Sequence, residues 1–272
     1  MSIGIVDAVV LGVVEGLTEF LPVSSTGHLT IASGLLGLEI DDPSVTAFTA
    51  VIQVGAIAAV LIYFASDIAR FVRAFVAGVT SSRARQTDDW RFTIAVGVGS
   101  LPIGLVGMLF EDVIKGPVLR SLAAVAVGLI AWSAVMVLAE RKATQARGEA
   151  DVTIRDGLLI GLAQCIALVP GVSRSGATIS AGLLLGLDRV SATRMAFFLG
   201  IPALMAAGIT QLPSALDGVE PVPVAVGTVV SFVVGYASIA WLLRLVASRS
   251  IVFFVPYRVA LGVVVLVVLA LG

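Results

Sequence analysis

The sequence predicts an all-α integral membrane protein: six full transmembrane helices plus two re-entrant helical hairpins, arranged as an inverted-topology internal repeat. Three observations carry this. Of 272 residues, 58% are hydrophobic and only 13% charged, with a mean hydropathy of +1.09, whereas soluble chains are about one quarter charged. Six apolar runs are long enough to cross a bilayer, which takes about 20 residues. Two further apolar regions, 4–38 and 156–187, are interrupted in the middle and match each other.

In chain order, region 4–38 comes first. It is broken at "LPVSSTG", and the piece from Gly27 to Leu38 would make only about 18 Å of helix. Short helices flanking a Pro/Gly/Ser break fit a re-entrant hairpin, because irregular backbone at membrane depth survives only against protein or a watery cavity. Spans are expected at 45–65, 91–110 and 118–139. The loop 66–91 lies between the first two, and the loop 140–156 follows the third. Region 156–187 is broken at "VPGVSRSG" and reads as a second hairpin. Spans at 192–212, 222–246 and 251–271 complete the chain. The whole is one membrane domain, 1–272, with repeat one at about 1–148 and repeat two at about 149–272.

The repeat shows under a gapless shift of 149 positions. It pairs Gly12 with Gly161, Glu15 with Gln164, Ser24 with Ser173, Thr26 with Ser175, Gly27 with Gly176 and Phe48 with Phe197; "LLGLE" at 35–39 falls on "LLGLD" at 184–188. Three spans separate the hairpins, so the second half must be inverted, an architecture that brings broken helices together near the midplane. Arg70, Arg73, Arg83, Arg85, Arg91, Arg141, Lys142, Arg147 and Arg155 fall on one side by alternation, with Arg189, Arg194, Arg244 and Arg249. Lys115 and Arg120 fall on the other. The positive-inside rule makes the rich side cytoplasmic and both termini external. Hairpin one then enters from outside and hairpin two from the cytoplasm.

Several classes are excluded. No Lys or Arg precedes the first apolar run, which carries Asp7, so no signal peptide is expected. A net charge of −1 speaks against a nucleic-acid partner. The single Cys165 supports neither an internal disulfide nor a zinc cluster. No nucleotide-binding glycine motif is present. The chain has one histidine, and membrane phosphatases of the acid-phosphatase type need two. Gly12, Gly16, Gly104 and Gly107 are expected to let helices approach closely. Gln53 and Gln164 are polar groups at membrane depth that either touch the site or bond a neighbouring helix.

The polar residues gather at the two breaks. Each break precedes a short helix whose N-terminus offers free N–H groups and positive potential, capped at Ser24–Gly27 and Ser173–Gly176. Arg174 adds a planar donor set matched to phosphate oxygens. Ser24, Thr26, Ser173, Ser175 and Thr178 add hydroxyls, so the constellation reads as a phosphate site. Glu15 and Glu19 share a helix face among Val13, Val14, Leu17, Phe20 and Leu21. Burying one carboxylate in the bilayer costs about 2.5–3.5 kcal/mol, so the pair calls for a cation, and Mg2+ or Ca2+ with oxygen ligands fits beside a diphosphate. His28 stands next to Ser24, Ser25 and Thr26 as a general acid, a general base or a nucleophile.

"EGLTEFLPVSSTGH" at 15–28 and "PGVSRSGATISAG" at 170–182 resemble the two signature motifs of the bacterial undecaprenyl-diphosphate phosphatases, also called bacitracin-resistance proteins. "AVIQVGAIAAV" at 50–60 resembles a third segment, and the similarity runs over essentially the whole chain. One departure is Thr49, where many members carry an acidic residue. The resemblance implies an inner-membrane enzyme that removes the terminal phosphate of undecaprenyl diphosphate, recycling the cell-wall lipid carrier, and needs a divalent metal. Bacitracin would compete by binding that lipid substrate. The site would face the periplasm and comprise Glu15, Glu19, Ser25, His28, Ser173, Arg174 and Thr178. Ser25, His28 and an activated water all stand open as the attacking group, and homodimer formation is open as well. The rival reading is a transporter or lipid flippase, since inverted repeats with hairpins also build carriers; phosphate release separates the two.

Overall fold

The computed structural model describes residues 3–39, 42–114, 121–215 and 220–271. The helices are α1 (Ile5–Thr18), α2 (Ser25–Leu35), α3 (Pro43–Tyr63), α4 (Ala65–Thr80), α5 (Asp88–Leu109), α6 (Glu111–Ile114), α7 (Leu122–Lys142), α8 (Ile154–Cys165), α9 (Arg174–Leu184), α10 (Arg189–Ala215), α11 (Pro221–Ser248) and α12 (Val255–Leu271). Among the described residues, five helices are long and apolar enough to cross a membrane: α3, α5, α7, α11 and the segment Ile251–Leu271 that contains α12. The chain is a multi-pass helical membrane protein. The sixth expected span, 192–212, lies within α10, a helix of 27 residues. The expected charges Lys115 and Arg120 lie outside the described residues.

The interrupted regions are helix–break–helix units. Region one is α1, a break over 19–24, and α2; region two is α8, a break over 166–173, and α9. The two units share backbone detail at positions 149 apart. Ser24 and Ser173, the N-cap residues of α2 and α9, both have φ of 77°, a region that residues with a Cβ rarely occupy. Both short helices end in the same glycine turn. Leu38 N–H donates to Ser33 C=O at 2.9 Å and Leu187 N–H to Gly182 C=O at 3.0 Å, around Gly37 and Gly186 with φ of 73° and 87°. Only glycine takes that conformation without Cβ strain, and the pattern is the Schellman closure of a helix.

The helices of the two halves interlock. Helix α1 packs along α11, and α8 packs along α5. Gly12 and Gly16 permit the first contact: a Cβ at either position would sit 2.6 Å from the carbonyl oxygen of Gly227 or Ser231. Gly161 does the same for the second, with Gly99 O at 1.9 Å from its would-be Cβ. Among the described residues, the packing role expected of Gly104 and Gly107 is not found. A Cβ at either would meet nothing within 4 Å, because that end of α5 lies on the surface, with Leu105 59% exposed. Phe20 of break one, Phe64, Phe71, Phe92, Phe197 and Phe198 form an aromatic centre, with Phe71 and Phe92 stacked at 4.7 Å.

The stretch 66–91, expected as a loop, is mostly the helix α4. Its apolar residues Ile68, Phe71, Val72, Phe75 and Val79 recur at helical spacing, and Arg70 and Arg73 fall between them; reading the arginines as loop residues concealed the period. The segments assigned to the charged side do gather at one end. Arg70 of α4 reaches Glu149 at 2.9 Å and Asp89 of α5 at 3.6 Å. Arg194 of α10 bonds Glu149 as well and reaches Asp67 at 3.1 Å. Arg147 bonds Asp156 at 2.5 Å, and that bond holds its guanidinium above the ordinary arginine value. Arg189 pairs with Glu140.

Candidate active site

The breaks of the two units touch. Ser24 Oγ accepts from Gly171 N–H at 3.2 Å, and Ser175 Oγ donates to Leu21 C=O at 2.9 Å. Because the Ser24 hydroxyl turns toward break two, it does not cap its own helix. The first-turn N–H groups of α2 therefore lack the N-cap side-chain bond, which suits an anion. Thr26, in that turn, is exposed. In α9 the cap is made locally, with Gly176 N–H donating to Ser173 Oγ at 3.2 Å.

Glu19 stands where the breaks meet. Its Oε2 accepts from Ser25 Oγ at 2.5 Å, and its Oε1 accepts from Arg174 Nη2 at 2.8 Å. One carboxylate thus joins a hydroxyl of unit one to the guanidinium of unit two. Arg174 is fixed further by Gly200 C=O of α10, which accepts from Nη1 at 2.9 Å. These contacts use two of the five N–H donors that a guanidinium carries. Glu19 is 7% exposed, so the pair sits in a medium where removing either partner strands a buried charge.

Glu15 lies one helical turn earlier, 1% exposed, within electrostatic reach of Glu19 and Arg174. Its Oε1 is buried with no hydrogen-bond partner. A buried carboxylate oxygen without a donor is costly unless a cation meets it. The described residues hold no group of three or more His, Cys, Asp or Glu that could cage a metal. Two carboxylates completed by substrate oxygens is nevertheless the usual Mg2+ arrangement, and the Glu15–Glu19 pair fits it.

The other expected phosphate ligands are placed differently from one another. Ser173 Oγ lies 3.1 Å from Ser175 Oγ, and Thr178 Oγ1 donates to Arg174 C=O at 2.8 Å. The hydroxyls of Ser175 and Thr178 therefore brace the junction and the first turn of α9. His28 contacts Ser24 C=O through Nδ1 at 2.7 Å and Tyr257 Oη through Nε2 at 2.6 Å.

Two residues of α12 were missed from the sequence: Tyr257 and Arg258. Arg258 is completely buried. Its Nη1 donates to Pro22 C=O at 2.7 Å, its Nη2 to Gly171 C=O at 2.9 Å and Val172 C=O at 3.1 Å, and its Nε to Ser133 Oγ at 3.1 Å. One guanidinium thereby satisfies backbone carbonyls of both breaks. The signal was available, since an arginine inside an apolar span needs buried partners. Tyr257 carried no such signal.

The family model described as "Bacitracin resistance protein BacA" matches residues 8–264. This chain belongs to that family. Among its relatives, undecaprenyl-diphosphatase 3 of Frankia casuarinae is 55% identical over 272 residues, covering 98% of each chain. Undecaprenyl-diphosphatase 1 of Streptomyces coelicolor is 54% identical, covering 100% of this chain and 98% of its own. The undecaprenyl-diphosphatase of Cutibacterium acnes is 47% identical, covering 95% of each. The family match spans both breaks and α12 through Arg258, so every residue of the junction lies inside it.

Proposed function

We propose that this protein removes the terminal phosphate of undecaprenyl diphosphate, yielding undecaprenyl phosphate and inorganic phosphate, and so lowers sensitivity to bacitracin, which competes for the same lipid. The relatives' names supply the substrate. The observation that carries the chemistry is Glu19, bonded at once to Ser25 and Arg174. A hydroxyl 2.5 Å from a buried carboxylate is an activated nucleophile beside its base.

In this reading Ser25 Oγ bonds to the terminal phosphorus as its proton passes to Glu19. The bond to the bridging oxygen breaks, and its electron pair leaves with the polyprenyl phosphate. Water then attacks the phosphoserine and gives a proton to His28. Ser25 Oγ leaves and regains its proton from Glu19, His28 passes its proton to the departing phosphate, and the site is reset. The remaining N–H donors of Arg174 and the uncapped N–H groups of α2 meet the equatorial oxygens, where charge is spread in phosphoryl transfer. Glu15 and Glu19 would hold Mg2+ or Ca2+, which when bound neutralises diphosphate charge.

For topology, α10 is read as the sixth span and the two helix–break–helix units as re-entrant hairpins of an inverted repeat. The matched φ values at 24/173 and 37/186 support the repeat. The arginine-rich end is assigned to the cytoplasm, and the site opens toward the periplasm or cell exterior. Single cysteines in a Cys165→Ser background check this: an impermeant reagent on intact cells labels position 220 and spares position 82, and the reverse pattern inverts the assignment. The function itself is tested with purified protein, a prenyl diphosphate and Mg2+ or Ca2+. Phosphate release is expected, and none with either metal refutes the reading.

A further inference from the structure

We infer that Tyr257 is a positioning residue that orients His28, donating to the Nε2 lone pair of the tautomer that the Ser24 carbonyl sets. His28 Nδ1 lies 2.7 Å from the carbonyl oxygen of Ser24. A carbonyl only accepts, so Nδ1 carries the hydrogen. In the neutral ring Nε2 is then the acceptor. Tyr257 Oη lies 2.6 Å from Nε2, so the phenol donates to it. The rings stack with centroids 5.6 Å apart and planes inclined by 21°, which fixes the plane of the imidazole as well as its proton.

Three elements converge on this arrangement. The accepting carbonyl belongs to Ser24, whose φ of 77° is set at the break and whose hydroxyl is bonded by Gly171 of the other unit. The phenol sits on α12 immediately before Arg258, whose guanidinium bonds carbonyls of both breaks. The last helix therefore holds the backbone of the junction with one residue and aims the histidine with the next. A free imidazole favours the opposite tautomer, with the hydrogen on Nε2, so the Ser24 carbonyl imposes the form inferred here. That form presents Nε2 as the base, and Tyr257 guards it until the substrate phosphate or its attacking water takes the phenol's place. Ser24 C=O fixes the partner nitrogen and Tyr257 fixes the ring at the working one; groups that orient a functional histidine commonly matter about 10- to 100-fold.

The functional half of this inference rests on the proposed phosphatase reading; the tautomer does not. The chain contains a single histidine, so selective 15N-histidine labelling gives one pair of ring resonances. In the purified wild-type protein above the titration of the ring, Nδ1 is expected to show the protonated shift and Nε2 the lone-pair shift. Tyr257→Phe keeps the stacking ring and removes the hydroxyl. Its Nε2 resonance should move, and kcat on prenyl diphosphate should fall about 10- to 100-fold with little change in KM. A protonated Nε2 in the wild type overturns the inference. So does a Tyr257→Phe protein with unchanged resonances, or one whose resonance moves while kcat holds. If the wild type releases no phosphate, the phosphatase reading fails while the ring resonances still decide the tautomer.

Discussion

At Ser24 and at Ser173 the chain turns through the same φ of 77°, and the short helices that follow close on Gly37 and Gly186 with matching bonds. The side chains on that common frame differ position by position. Unit one carries Glu15, Glu19, Ser25 and His28; at the equivalent places unit two carries Gln164, Leu168, Arg174 and Ala177. Their packing differs too. Helix α9 is buried along most of its length, whereas α2 buries only Gly27 and Ser33. Under the proposed repeat, one backbone frame carries two different sets of side chains. One unit keeps the acids, the hydroxyl and the imidazole, and the other supplies the cation and a firm base. In the proposed site neither unit is sufficient alone, and the two meet at the Glu19–Arg174 bond.

Breaking the division on the side of unit one should have the largest effect. Ser25→Ala removes the proposed nucleophile, and kcat for phosphate release should drop on the order of 10^4- to 10^6-fold. Retained activity would pass the attacking role to water or His28. On the side of unit two, Arg174→Lys keeps the charge and removes the planar fork. It should cost about 100- to 1000-fold in kcat, with a smaller change in KM. A rise in KM alone would make Arg174 a ground-state binder.

Glu15→Gln gives unit one the residue type that unit two has at the paired position. The metal concentration for half-maximal activity should rise about 10- to 100-fold. The melting temperature should rise as well, since a buried carboxylate without a partner on Oε1 is replaced by a neutral amide. An unchanged metal titration would take Glu15 out of the site. Arg258→Met leaves carbonyls of both breaks without a donor, at roughly 1–3 kcal/mol for each buried group. It should lower thermal stability, and Arg258→Lys should restore part of the loss. The smallest effect is expected at Gln164, whose side-chain amide is fully buried with both polar atoms unpartnered. Gln164→Leu should leave turnover unchanged and stability equal or higher; lost activity would reveal that unit two contributes there.

Much of this was legible in the sequence because its signals are local. Pro22, Pro170 and the serine–glycine runs mark the breaks, and the 149-residue shift exposes the pairing. Apolar runs mark α3, α5, α7, α11 and α12. What the sequence concealed depends on contacts distant along the chain. Nothing near Ser175 says that its hydroxyl will bond Leu21 rather than a ligand. Arg258 is 236 positions from Pro22, so its partners follow only from the way α12 packs on α7. Gly104 and Gly107 have the spacing of a packing pair, yet among the described residues a Cβ at either would meet nothing within 4 Å. Helix α4 was hidden because its arginines, which pair with acids of other segments, read as loop charge.

The claim that the two units form one site is tested most directly by a double-mutant cycle on Glu19 and Arg174. Glu19→Gln, Arg174→Gln and the double variant are compared by kcat for phosphate release from a prenyl diphosphate. If the bond joins one site, the double variant loses little more than the worse single variant, with a coupling of about 1–3 kcal/mol. Losses that multiply, with no coupling, would make the two residues independent contributors rather than parts of one site.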